Sequence, residues 1–419
     1  MKVVIRNATI LSSSSPFHRQ SKDIFIEKGI ISKIGDKLLV EADKEIFYEG
    51  LHVSIGWMDI FAHFCEPGLE HRETLQSGSA AAAAGGFTDV MLIPNTNPSI
   101  SSKSQVAYIR DQDVSLPVTL HPIASVTKNI EGRELSEMYD MREQGAIAFS
   151  DGTRPLQDTA IMLKALLYLL PVDCTLIQVP DTTSLSANGL MNEGVASTRL
   201  GLPGKPALAE ELEILKDIEL LRYTGSRLHI TGISTAKSIE LVKQAKKEGL
   251  KLSCSVTPYH MVFSEEDLAG YDTNLKVNPP LRTRTDVEAL RKALKDGVID
   301  CIASHHLPLH SDDKDCEFEY AKYGMITLQH VFGILQQFLP AEKLIELMTI
   351  APRKLFNIPV PVIQEGAKAC LTLFNPAETY IFDKSMIRSL SYNSPFIGKE
   401  MKGRVFGTIT KGKLNLVNA

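Results

Sequence analysis

Apolar and polar positions follow two different rhythms along this chain. At both ends the rhythm is short. VVIRNATI, DIFIEKG, ISKIG and EIFYEG fill residues 1–54, separated by a polar SSSSPFHRQSK and by glycine turns. CLTLFNP, TYIFD and GRVFGTITKGKLNLV bring the same pattern back towards the other end. Runs rich in Val, Ile, Phe and Thr between turn residues read as β-strands. Two strand-rich ends around a long middle are expected to pair with each other. They predict one small composite β-sandwich domain from residues 1–54 and 360–419.

Residues 55–359 alternate on a longer scale. Apolar runs at 56–62, 88–94, 118–122, 146–149, 175–179, 228–231, 251–256 and 299–304 read as strands. The first seven are each followed by a helical stretch, among them 73–84, 156–169, 210–223, 235–248 and 286–296. Eight strands alternating with helices predict an α/β fold, a closed (β/α)8 barrel of the TIM type. An open doubly wound sheet usually has fewer strands. No GxGxxG follows the first strand, which disfavours a dinucleotide fold. Stretches 323–339 and 342–350 predict two further helices that close the barrel.

Composition adjusts this picture only slightly. The 419 residues are 44% hydrophobic and 23% charged, with a formal charge of −5, ordinary for a chain that buries a large core. No basic stripe points to nucleic acid, and no apolar run is long enough to span a bilayer. The six cysteines are scattered without a CxxC pair, so reduced thiols in a cytoplasmic protein are expected. MKVVIRNATI alternates like a strand and lacks the apolar core of a signal peptide.

In such a barrel, chemistry gathers where the strands end. Alternation along the first strand puts Asp59, Phe61, His63 and Cys65 on one face. A His-x-His pair there would give one metal two imidazoles, but Phe61 holds the first position and cannot coordinate. A lone histidine such as His63 is more often a hydrogen-bonded core or rim residue than a ligand. Asn95, in Pro94-Asn95-Thr96-Asn97, would orient a polar substrate or simply make a turn. Asp151, in Phe149-Ser150-Asp151-Gly152, would serve as ligand, base or turn residue. Gln178 is a poor zinc ligand, and Gly232 offers no side chain. Ser234 or Thr235 is expected to cap the next helix. His305, His306 and His310 cluster after the eighth strand, as a metal site or as hydrogen-bonded rim residues.

Several motifs now fall together. They are Asp59-x-x-x-His63-Phe64-x-Glu66-Pro67-Gly68, Gly78-Ser79-Ala80, Gly85-Gly86-Phe87-Thr88, Pro94-Asn95-Thr96-Asn97-Pro98 and Phe149-Ser150-Asp151-Gly152. With them go Ser234-Thr235-Ala236, Val277-Asn278-Pro279-Pro280-Leu281-Arg282, Asn393-Ser394-Pro395-Phe396 and Gly403-Arg404-Val405. Over nearly its whole length the chain resembles the dihydroorotases of the amidohydrolase superfamily, in the long type found in bacteria and in multifunctional pyrimidine proteins.

The resemblance implies reversible hydrolysis of dihydroorotate to carbamoyl aspartate, with one or two zinc ions activating a hydroxide and an aspartate moving the proton. Carried over by position, the family's His-x-His falls on Phe61 and His63, and its bridging carboxylate on Asp151. Its two further histidines fall on Gln178 and Gly232, and its proton-shuttling aspartate on His305. The substrate-binding arginine falls on Cys65, and a substrate-binding histidine on Leu309, beside His310. Asn95 and Asn278, which contact substrate in the family, remain. A catalytic zinc needs about three protein ligands. His63 and Asp151 are remnants of such a set, with His305 as the one added candidate. Without metal, water keeps a pKa of about 15.7 in place of about 7.

The first reading is therefore a dihydroorotase-family protein of pyrimidine biosynthesis without activity or cofactor. The family implies aspartate transcarbamoylase as its structural partner, and a homo-oligomer. The second reading is an active cyclic-amide hydrolase with a single zinc rebuilt on His63, Asp151 and His305, with Gln178 as a further contributor. The third is a metal-free protein that binds a dihydroorotate-like ureide around Asn95 and Asn278. On the first reading, Phe61 is expected to fill the space between His63 and Asp151 that a metal would need.

Overall fold

A computed structural model describes residues 1–417. Eight parallel strands form one sheet in the order Cys301–Ile302, Leu252–Val256, Leu228–Ile230, Thr175–Gln178, Ala148–Phe149, Thr119–Ala124, Phe87–Leu92 and Trp57–Ala62. The spatial order reverses the chain order one step at a time, as a barrel of βα units requires. A parallel bridge between Ala62 and His306 joins the first strand to the segment after the eighth. His63 N–H donates to His306 O across that seam at 2.9 Å. All eight strands lie within a residue or two of the apolar runs that predicted them.

The strands are apolar on both faces because both are covered. Met58, Ile60, Met91, Ile123, Ile177 and Cys301 pack together from five of the strands and fill the barrel. Trp57, Phe87 and Leu176 face outward into the larger cluster shared with the helices. Those helices, Leu75–Ala84, Thr159–Leu169, Leu208–Thr224, Ala236–Lys247 and Arg284–Lys295, match the expected stretches. Thr235 caps Ala236–Lys247, its Oγ1 accepting from Ser238 N at 3.0 Å.

One expected helix is different. Only Leu328–His330, a 3-10 turn, and Val331–Leu335 are helical within 323–339. Gly324 has φ +139°, and Met325 pairs in parallel with His306. The His306 Nδ1 then accepts from Thr327 N at 3.1 Å. Pairing with the barrel seam takes these residues out of the helix, and no local pattern reports such a partner. The following stretch forms Ala341–Met348 and Ile350–Leu355.

The two ends of the chain meet in a second sheet. Its order is Lys413–Leu416, Glu400–Thr410, Leu371–Ile381, His52–Ile55, Lys2–Ile10, Ser21–Glu27 and Ile30–Gly35, with Lys44–Ile46 also paired to Lys2–Ile10. His52–Ile55 runs antiparallel to Leu371–Ile381 and so ties the early strands to the late ones. The sheet curls until Ile31 N–H reaches Ala367 O at 2.9 Å, and a separate apolar core fills the fold. The architecture is a TIM barrel with a β domain built from both ends. No helix among the described residues is long and apolar enough to cross a membrane.

Candidate functional site

The strand ends open on a cavity of about 860 Å³. Phe61, His63, Asn95, Asn278 and His305 all line it, together with Arg72, Arg154, Lys276 and Lys322. The parallel strands bring these residues from distant parts of the chain to one mouth, as a barrel does.

His63 is buried and fully engaged. Its Nδ1 accepts from Cys65 N–H at 2.9 Å and lies 2.8 Å from the Cys65 thiol. Its Nε2 lies 2.9 Å from Asn95 O. A carbonyl only accepts, so Nε2 carries the proton and Nδ1 presents its lone pair to Cys65. A metal would need that lone pair. Burial, with Arg72 and His306 nearby, pulls the His63 pKa down to about 4, and burial pushes the Cys65 thiol up. The pair is neutral at pH 7.

Asp151 is turned to its own neighbours. One carboxylate oxygen accepts from Val126 N and Thr127 N, each at 2.9 Å, and the other from the Thr127 hydroxyl. These bonds fasten the end of the fourth strand to the loop after the third. Burial outweighs the three donors and raises the carboxyl to about 6. Asn95 joins the two remnants without any shared ion. Its Nδ2 donates to Asp151 O at 3.2 Å, and its Oδ1 accepts from Thr153 N at 3.1 Å. Gly152 is required below it, because a Cβ there would stand 1.6 Å from Asn95 Oδ1.

His305 takes up the middle of the mouth. Its ring stacks on Phe61 with centroids 4.4 Å apart and planes 27° apart. Its Nε2 lies 2.9 Å from Thr231 Oγ1. A Cβ at Gly232 would meet His305 Cε1 at 2.8 Å, and Gly232 has φ +74°. The imidazole thus fills space that a side chain at 232 would use. Burial, with His260 and His229 close by, lowers its pKa to about 3, so it is no proton acceptor near neutral pH.

Gln178 is bound in a different direction. Its amide exchanges hydrogen bonds with Leu156 N and O at 3.2 and 3.3 Å, and its Nε2 donates to Glu213 at 3.1 Å. Asn278 lines the cavity with its Oδ1 accepting from the buried Lys205 Nζ at 2.5 Å, while Asp181 holds the same ammonium at 2.6 Å.

The expected zinc ligands are therefore not assembled. His63, Asp151 and His305 do not converge, and among the described residues no group of three or more His, Cys, Asp or Glu side chains is arranged to hold a metal ion. Zinc asks for about three convergent donors with free lone pairs. The residues present do not fit it. His306 accepts from the Thr327 backbone and faces Glu73 at 3.6 Å, and His310 is half exposed beside Asp312.

Two residues at the mouth escaped sequence reasoning. Arg72 lay in a stretch that reads as a polar loop, Glu70-His71-Arg72-Glu73. Lys205 sits in a short strand pair, and nothing local announces that it reaches Asn278. A basic residue in the loop after the first strand was the available signal for Arg72.

Comparison with known proteins agrees with the fold. A family profile described as "Dihydro-orotase-like" matches residues 52–238, and one described as "Amidohydrolase family" matches residues 195–414. A solved structure of L-hydantoinase (dihydropyrimidinase) from Arthrobacter aurescens superposes with a TM-score of 0.85 at 22% identity, covering 100% of this chain and 96% of that one. The dihydroorotase of Syntrophus aciditrophicus (strain SB) is 36% identical over 422 residues, 99% of each chain. That of Caldicellulosiruptor saccharolyticus is 39% identical over 422 residues, 98% of each. At such identity over nearly the full length of both chains, this chain belongs to the dihydroorotase family of the amidohydrolase superfamily.

Proposed function

We propose that this protein is a dihydroorotase homologue of pyrimidine biosynthesis that does not hydrolyse dihydroorotate and serves as a structural partner of aspartate transcarbamoylase. One observation carries the silent reading. The His305 ring stacks on Phe61 and fills the space beside Gly232, so three positions that carry ligands or the proton shuttle in the family now pack against each other. The names of the relatives speak for the active enzyme. Against that stand four changed positions of six, each with a physical consequence at the mouth. Lost coordination leaves the attacking water without the Lewis acid that would lower its pKa from about 15.7 to about 7. The neutral His305 gives no compensating base near pH 7.

The partner rests on the family resemblance, in which silent homologues assemble with the transcarbamoylase. Co-expression of the two chains should yield one complex on size exclusion, and separate elution would remove the partner from the proposal. Phe61→His alone is expected to give no turnover of dihydroorotate with added zinc, because Gln178, Gly232 and His305 remain. Measurable hydrolysis by that variant would contradict the silent reading.

A further inference from the structure

The helices that wrap the barrel do not all present the same kind of surface. Ala236–Lys247 turns Lys237, Glu240, Lys243 and Lys247 outward, and Arg284–Lys295 turns out Arg284, Glu288, Lys292 and Lys295. These are ordinary solvated faces. Thr159–Leu169 reads TAIMLKALLYL, and Lys164 is its only charge. A helix that is apolar on every side belongs in an interior. Leu208–Thr224 packs beside it, and the short helix Thr183–Ser186 packs on Leu208–Thr224. On this face Leu167, Leu170, Leu185, Leu208, Leu212 and Leu215 are each 40–50% exposed. Six leucines exposed to that degree present roughly 500 Å² of apolar surface. That is the size at which a patch on a monomer marks an interaction site, and over half of the about 800 Å² that each side of a standard interface buries.

The spacing on Leu208–Thr224 says what covers it. Leu208, Leu212 and Leu215 follow the d, a, d positions of a coiled-coil seam. Glu211 and Lys216 hold the g and e positions on opposite flanks of that seam. In a parallel pair of helices the g residue of one meets the e residue of the other, here acid against base, and such flanks set partner and orientation. Lys216 keeps a donor for this. Its Nζ donates to Glu213 at 2.6 Å and to Leu156 O at 3.4 Å, which leaves a third proton on a side chain that is 23% exposed. The surface that answers both flanks is the same helix of a second copy. Ala236–Lys247 packs on the other side of Leu208–Thr224 from Thr159–Leu169. A parallel pair therefore lays its lysine stems over the Thr159–Leu169 leucines of the copy, with the ammonium groups in water.

We propose that Leu208–Thr224 is the two-fold contact of a homodimer, in which the leucine seam of one copy lies parallel on the seam of the other. The contact is isologous, so Glu211 of each copy faces Lys216 of the other and both pairs form at once. It does not depend on whether the barrel mouth is silent.

Sedimentation velocity of the full chain over the micromolar range tests it, and should give a dimer or a larger assembly with an even number of chains. Leu212→Glu should raise the dissociation constant of the two-fold contact at least about thirtyfold, as loss of a central interface residue does. Glu211→Lys, which sets a lysine against Lys216 of the copy, should weaken the contact less, and high salt should reduce that weakening. Lys292→Glu, on the charged face beyond Ala236–Lys247, should leave the assembly unchanged. Far-UV circular dichroism matching that of the parent establishes that the variants fold. A second readout does not need the glutamate variant to fold. A parallel two-fold sets each seam residue against itself, so Leu212→Cys should form a disulfide-linked dimer in oxidised glutathione, and the parent chain should not. A monomeric parent or an odd-numbered assembly overturns the proposal. So does a folded Leu212→Glu that stays dimeric, or a Leu212→Cys that does not cross-link. A parent that is monomeric alone, and whose complex with a transcarbamoylase is lost in Leu212→Glu, would give the face to that partner and overturn the homodimer equally.

Discussion

Mild acid is expected to unfold this protein. Five histidines, His63, His229, His260, His305 and His330, are buried, and burial lowers their pKa values to about 4, 3, 4, 3 and 4. In the unfolded chain each returns to about 6.5. Between pH 6.5 and pH 4 the unfolded state therefore binds more protons than the folded one, and stability rises with pH across that window. Above pH 6.5 the full stability is present. By pH 5 each histidine has removed roughly 2 kcal/mol, so five together approach ~10 kcal/mol. Total stabilities are about 5–15 kcal/mol. The buried carboxyls of Asp59, Asp151, Glu213 and Asp217, raised by burial, work in the opposite direction and offset part of this loss. Urea unfolding followed by circular dichroism should show a midpoint that falls by more than half from pH 7 to pH 5. His305→Phe should make that fall shallower. A midpoint constant over the interval would mean that these rings are not held neutral.

The second large effect comes from rebuilding position 232. Gly232→His should destabilise the fold by about 2–5 kcal/mol. A left-handed backbone disfavours any side chain by roughly 1–2 kcal/mol, and overpacking adds about 1–3 kcal/mol. The obstacle is specific, because the new Cβ would meet His305 Cε1 at 2.8 Å. His305→Asp should relieve the steric part and leave the backbone part. A double-mutant cycle on the two positions should therefore show about 1–3 kcal/mol of coupling. Additive losses would mean that the His305 ring does not depend on the empty side chain at Gly232.

Much of the fold was legible because its signals are local. The apolar runs that became barrel strands are buried on both faces, and their spacing with helices admits few topologies. The stretch 323–339 was not, since Met325 is drawn into pairing with His306, a contact made only after the barrel closes. The site divides in the same manner. Phe61 and Gly232 could be seen to lack ligand atoms from their chemistry alone. What occupies the donors of His63 and Asp151 could not be seen, because Asn95, Val126 and Thr127 lie on other strands and loops. Arg72 carried no motif, and its place at the cavity depends on how the first loop folds back over the barrel.

On the proposed function, the mouth holds no catalytic metal. Elemental analysis of protein purified with zinc in the medium, coupled to a dihydroorotate hydrolysis assay with zinc added back, tests it most directly. The arrangement of His63, Asp151 and His305 predicts zinc far below one ion per chain and no turnover at any zinc level. About one tightly held zinc per chain, with hydrolysis that disappears in His63→Ala, would contradict it.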